Sequence, residues 1–241
     1  MTVDSPTTEP ASPSTGVDVS ASTLVTGPDV SEWQGLVDWP KVAGAGHAFG
    51  IAKALEWVLV GSKRVPHVDA RFARNWDGMR AAGLLRGAYL FFHPSVDPLA
   101  QAERFASTIG PLGPGDLMPL VDVEAHDGLK GPAIVAAVVA CLERLETLTG
   151  RWPAIYTAEW FWRGWLANPK HWPGKVGADV LASWPLWIAD YDVAKPGTLA
   201  WPSEMLWQHT GSGRCAGVTG KVDLNRFNGT RAELRGLAGI A

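Results

Sequence analysis

The sequence predicts an α/β chain folded as an irregular (β/α) TIM-like barrel with helices lost in the later repeats. Three observations carry that expectation. Residues 27–241 have the length that one barrel domain needs. In their first two-thirds, apolar strand-like runs alternate with helical patterns, and short strands with little helix between them follow. Acidic residues also recur where predicted strands end, the end at which barrel enzymes gather reactive groups.

In chain order, residues 1–26 hold 14 Ser, Thr and Pro and no hydrophobic periodicity, which predicts a disordered arm or linker. From residue 27, strands are predicted over 28–33, 48–54, 86–92, 118–124, 154–157, 186–191, 205–209 and 221–225. Helices are predicted over 40–45, 68–82, 98–109 and 132–149, with a short one closing the chain at 230–237. The fourth helix is the clearest. Pro132 suits its first turn, Gly150 its exit, and Ile134, Val135, Val138, Val139, Leu142 and Leu145 form one stripe. Between residues 160 and 185, Trp, Pro and Gly blur the pattern.

Composition narrows the function classes. Hydrophobic residues make up 46% of the chain and charged residues 19%, enough for a sizeable core. A net charge of −3 without a basic block argues against a nucleic-acid binder. The longest apolar run, Ala133 to Leu142, is about half a membrane span, so no membrane insertion is expected. The first basic residue is Lys41, so no charged start precedes an export segment. Cys141 and Cys215 exclude a disulfide framework; free thiols are expected, with one bridge as the alternative. The 13 Trp exceed what a core requires and suit sugar recognition, in which apolar ring faces stack on flat aromatic surfaces.

The most informative segment is Met118-Pro-Leu-Val-Asp-Val-Glu-Ala-His126. Strand alternation puts Leu120, Asp122 and Glu124 on one face and Val121 and Val123 on the other. The valines are expected under the outer helices, Leu120 inside the barrel, and the two acids at the strand's C-terminal end. Carboxylates two residues apart repel when both are ionised, so one is expected to hold a proton beside an anion, the pairing that glycoside hydrolysis uses. Asp29, in the first strand, and Asp223, in the last, are expected to meet because first and last strands are neighbours in a closed barrel. In Trp187-Ile-Ala-Asp-Tyr191 either the aromatic set or Asp190 faces the site, and Tyr191 is the expectation.

These segments resemble the family 25 glycoside hydrolases, the Chalaropsis-type lysozymes. Gly27-Pro-Asp-Val-Ser-Glu-Trp-Gln-Gly35 with Val37-Asp-Trp-Pro-Lys-Val42 is similar to the family's opening. Phe49-Gly-Ile-Ala-Lys-Ala54, Gly87-Ala-Tyr-Leu-Phe-Phe-His93, Leu120-Val-Asp-Val-Glu124, Ile155-Tyr-Thr157, Leu186-Trp-Ile-Ala189, Leu206-Trp-Gln-His209 and Val222-Asp-Leu-Asn225 follow in the family's order. The resemblance implies a catalytic barrel and a muramidase that cleaves the β-1,4 bond between N-acetylmuramic acid and N-acetylglucosamine in bacterial peptidoglycan. It implies Glu124 as general acid/base, Asp122 as assisting carboxylate, Asp29 and Asp223 as flanking acids, and Tyr89, Tyr156, Tyr191 and Trp207 as groove aromatics. No cofactor or metal is implied, and a monomer is expected. Pro28, Leu90 and Leu55 to Trp57 depart from the family pattern, which touches substrate fit and leaves the four acids intact.

The absence of an export start suggests an endolysin-like enzyme, made in a host cytoplasm and acting on the wall after release, or secreted by a non-classical route. Two other readings stand beside this one. His93, Asp122, Glu124, His126 and His209 are conceivable metal ligands, though without a metal-ligand spacing. A non-catalytic glycan-binding module would also use the Trp residues. Trp39, Trp76, Trp152 and Trp187 are expected mostly in the core, with Phe91, Phe92 and His93 nearer core than site. Cys141 is expected to be buried and inert, and Cys215 exposed.

Overall fold

The computed structural model describes residues 24–240, together with Met1. The arm expected over residues 1–26 therefore lies, for residues 2–23, outside the described residues. Strand β1 (Val25–Val30) takes in Val25 and Thr26, the last two residues of the expected arm, and Val25 is buried in the barrel.

Eight strands close into a barrel. From β1 the chain runs through α1 (Trp39–Gly44), β2 (Phe49–Val60), β3 (Lys63–Val68), α2 (Phe72–Ala81), β4 (Leu85–Phe91), α3 (Pro98–Ile109), β5 (Leu120–Asp122) and α4 (Gly131–Thr149). It continues through β6 (Ala154–Ala158), the single turn α5 (Glu159–Phe161), β7 (Leu186–Ala189), β8 (Leu206–Gly213), β9 (Val222–Phe227) and α6 (Arg231–Leu237). The sheet order is β1-β9-β8-β7-β6-β5-β4-β2, with β2 pairing back on β1 and β3 attached outside as a hairpin on β2. From β1 through β2 and β4 to β8 neighbouring strands are parallel, whereas β9 is antiparallel to both β8 and β1.

The lost helices are real. After β6 the chain makes only α5, a π-helical turn at Trp162–Leu166 and two 3-10 turns, and the turn-rich stretch between β7 and β8 has no helix. Indole side chains tie the helix-poor stretch together: Trp201 Nε1 donates to the Trp184 carbonyl, and Trp172 Nε1 to the Leu166 carbonyl.

Strand alternation builds two apolar layers. Phe49, Ile51, Leu85, Leu120, Trp187, Leu206 and Phe227 fill the barrel, and Leu234 and Ala238 of the α6 region join that cluster. Val121, Val123, Leu90, Ile155 and Ile188 face outward against Phe105, Val138 and Leu142 from α3 and α4. Gly50 lets α1 approach, since a Cβ there would sit 2.5 Å from the Trp39 ring.

Several expectations need correction. Residues 63–68 form a strand not foreseen, and α2 begins at Phe72 rather than residue 68. Trp152 is exposed because the short link between α4 and β6 turns its ring outward; Trp39, Trp76 and Trp187 are buried. Cys215 is buried, its thiol donating to the Ala216 carbonyl; both cysteines are free. No described helix is long and apolar enough to cross a membrane.

At the start of β4 lies a buried ion pair. Arg86 Nε donates to Asp116 Oδ1 at 2.5 Å, its Nη1 to the Trp76 carbonyl at 3.0 Å, and its guanidinium lies 3.8 Å from the Trp76 ring centroid. Removing one partner strands a buried charge, which costs about 3–5 kcal/mol. Urea titration of Asp116→Ala should show a loss of that order with an unchanged m-value.

Candidate active site

Asp29, Asp122, Glu124 and Asp223 line one cleft of about 240 Å³ at the barrel's C-terminal face. β5 delivers Asp122 at its last residue, and Glu124 follows two residues on, on the face that Leu120 fills lower down. Asp223 reaches this face by a route other than the one expected. It lies at the start of β9, and because β9 runs antiparallel, that start lies directly opposite Asp29 in register.

A buried network fixes Asp29. Its Oδ2 accepts from Asn225 Nδ2 at 2.7 Å and from Gln208 Nε2 at 2.9 Å. Asn225 Oδ1 in turn accepts from Trp187 Nε1 at 2.7 Å. Gln208 Oε1 accepts from Tyr156 Oη at 3.0 Å and from the Tyr191 hydroxyl. Both amide partners of Asp29 are thus themselves held. Asp122 differs: its Oδ1 is buried without any hydrogen-bond partner.

Sinking four carboxyls together moves their protonation. Burial, opposed by the Asn225 and Gln208 hydrogen bonds, raises Asp29 above the ordinary carboxylate range. Burial and then the Glu124 charge hold Asp122 well above it. Burial raises Glu124, with Lys53 pulling it down and Asp29 pushing it up. Asp223 is pushed up to about 7 by burial, by the Asp29 and Glu124 charges and by its hydrogen bond with Asp29. The cluster therefore holds protons at pH values where isolated carboxyls have lost them.

Lys53 is the cation among these acids. It continues the inward row Phe49, Ile51, Lys53 of β2, pairs with Glu56, and lies 4.9 Å from the Phe91 ring centroid. Burial lowers its pKa, against the raising pull of Asp122, Asp69, Glu32 and Glu124. Beside it, Ser31 caps the 3-10 turn Glu32–Gln34, which presents Trp33 to the cleft with its side chain 84% exposed. Asp69 Oδ2 accepts from the Glu32 N–H at 2.7 Å and ties that turn to the chain ahead of α2.

Tyr89 and Tyr156 line the cleft, both set edge-on against Trp187. Tyr191 lines an adjoining concavity with Glu124, Tyr156 and Asp190, whose Oδ2 accepts from the Gly197 N–H. Trp207 does not reach the cleft. Leu206 and Gln208 take the inward positions on β8, so Trp207 faces the outer layer and donates to the Asp190 carbonyl. Lys53, Gln208, Asn225 and Trp33 were missed in the sequence. A polar residue continuing an inward apolar row, as in Phe49-x-Ile-x-Lys53 and Leu206-x-Gln208, is the signal that finds the first two.

The histidines serve other ends. Asp127 accepts from Arg64 Nη2 at 2.6 Å and from the Ser95 hydroxyl at 2.9 Å, and meets His93 Nδ1 at 3.1 Å, stapling the β2–β3 hairpin to two loops of the same face. His126 stacks on Trp165 at 3.6 Å, and His209 lies beside Trp207. Among the described residues no group of three His, Cys, Asp or Glu is arranged to hold a metal.

Residues 28–218 match the family described as glycosyl hydrolases family 25. The chain is 36% identical over 225 residues to the YegX protein of Escherichia coli O6:H1, covering 90% of this chain and 75% of that protein. It is 33% identical over 225 residues to lysozyme M1 of Streptomyces globisporus, covering 89% and 71%. The crystal structure of the bacterial lysozyme from Streptomyces coelicolor superposes with a TM-score of 0.79 at 32% identity, covering 90% of this chain and 97% of that one.

The raised Asp223 has a consequence for stability. Below the ordinary carboxylate range it is protonated both folded and unfolded; as pH rises toward about 7 the unfolded chain releases the proton first, and stability falls. Asp223→Asn removes that loss. Thermal melts should show the variant higher by several degrees at pH 8 and unchanged at pH 3.

Proposed function

The chain belongs to the glycosyl hydrolases of family 25 and is a lysozyme-type peptidoglycan hydrolase, and from that premise we propose that Glu124 protonates the departing glucosamine O4 while the substrate's own acetamido oxygen attacks the anomeric carbon. The orphaned Asp122 Oδ1 carries this reading: a buried acceptor without a donor fits the acetamido N–H, whose positive character grows as the carbonyl oxygen attacks. The bond broken is the β-1,4 link between N-acetylmuramic acid and N-acetylglucosamine. Attack from within the substrate followed by water attack gives net retention, with Glu124 as base in the second step.

In the empty cleft, burial and the Glu124 charge favour a proton on Asp122. A donated N–H favours the charged carboxylate, so binding of the acetamide shifts the proton preference toward Glu124. Glu124 is also the less buried of the two and borders the adjoining concavity, where a leaving group has room. Asp29 sustains the raised pKa of Glu124 by like charge, and Tyr89 and Tyr156 wall the sugar. The biological role we propose is degradation of the bacterial wall at lysis, after release from the cell that makes the enzyme.

Glu124→Gln should lower turnover on purified peptidoglycan by about 10²–10⁴-fold, and Asp122→Asn should abolish tight binding of a sugar-fused thiazoline that mimics the cyclic intermediate. NMR of the first product should show the β-anomer at the new muramic acid end; an α-anomer first would overturn the acetamido route. The pH–rate profile should be bell-shaped. Asp29→Asn removes an anion that raises the Glu124 pKa, so its alkaline limb should move to lower pH.

A further inference from the structure

A second concavity of about 430 Å³ adjoins the acidic cleft, lined by Trp160, Glu159, Asp190 and Tyr191 and sharing Glu124 and Tyr156 with it. Glu124 stands between the two. A general acid that protonates a glycosidic oxygen has the sugar that becomes cationic on one side and the departing sugar on the other. The cationic sugar belongs with the carboxylates, where Asp29, Asp122 and Asp223 converge. By elimination the second concavity faces the departing sugar.

Its wall is built for a sugar ring. Trp160 is 61% exposed although it lies next to Phe161, which is fully buried. The two rings meet edge to face, centroids 5.5 Å apart at 79°, so the buried Phe161 holds the exposed indole in one attitude. Trp160 follows β6 by two residues, placing it on the C-terminal face just beyond Tyr156. Glu159 is engaged by Arg163 Nε at 2.6 Å, which offsets its charge beside the ring. Asp190 and Tyr191 add polar groups to its lining.

We propose that Trp160 is the stacking platform for the departing N-acetylglucosamine unit and so a specificity-determining residue of this enzyme. The proposal rests on the muramidase reading above and adds a subsite to it. Trp33, which lines the acidic cleft but not the second concavity, is the other exposed indole of this face.

The test compares wild type with Trp160→Ala, Trp160→Phe and Trp160→Leu, using kcat/KM for release of reducing muramic acid ends from soluble glycan strands, with thermal melts of each. Because the side chain is exposed, all four proteins are expected to melt together. Trp160→Ala should lose about tenfold or more in kcat/KM. Trp160→Phe should recover most of that loss through its ring, and Trp160→Leu should stay with the alanine variant. Binding of a glycan tetrasaccharide to Glu124→Gln should weaken similarly when Trp160→Ala is added. Alanine activity within twofold of wild type overturns the proposal, as does a leucine variant that performs like the phenylalanine one. A folded wild type that releases no muramic acid ends overturns the muramidase reading and this proposal together, whereas wild-type release with an indifferent Trp160 overturns this proposal alone.

Discussion

Four carboxyl groups share one end of a barrel, largely withdrawn from solvent, and the rest of the molecule is organised around holding them there. Left to themselves they would repel, hydrate and push the cleft open. What prevents this is the anchoring of Asp29 by Asn225 and Gln208, each fixed in turn by Trp187, Tyr156 and Tyr191. Five of its six residues come one each from β1, β6, β7, β8 and β9, with Tyr191 just past β7, so closing the barrel and assembling the acids are one event. The antiparallel β9 is part of the same arrangement. Reversing its direction is what lets a residue at a strand's start join residues at the ends of parallel strands.

Function draws on the same constraint. A cluster whose protons are bound above the ordinary carboxylate range supplies an acid near neutral pH, and it does so at a cost in stability. The remainder of the fold offsets that cost away from the chemistry. The outer apolar layer under α3 and α4 and the Arg86–Asp116 pair at the start of β4 stabilise the barrel away from the four acids. The site's open face is framed instead by turns and aromatics, from the capped turn bearing Trp33 to the one-turn helix bearing Trp160.

The barrel, the positions of Asp122 and Glu124, and the approach of Asp29 to Asp223 were legible because alternation in an apolar strand needs no tertiary information. Val121 and Val123 had to face the helices, which fixed where the acids point. The β2–β3 hairpin was not legible: Lys63-Arg-Val-Pro-His67 is charged and carries a proline, and its order comes from Arg64 reaching Asp127, 63 residues away in sequence. Trp207 was placed in the groove by motif, but the inward register of β8 is set by Leu206 and Gln208. The direction of β9 was hidden because strand polarity leaves no trace in a six-residue pattern.

The most direct measurement is digestion of purified peptidoglycan, reduction of the products with borohydride, and mass spectrometry of the released fragments. The account predicts reduced muramic acid at every new end. Reduced glucosamine, or intact glycan strands bearing new amino groups, would contradict it.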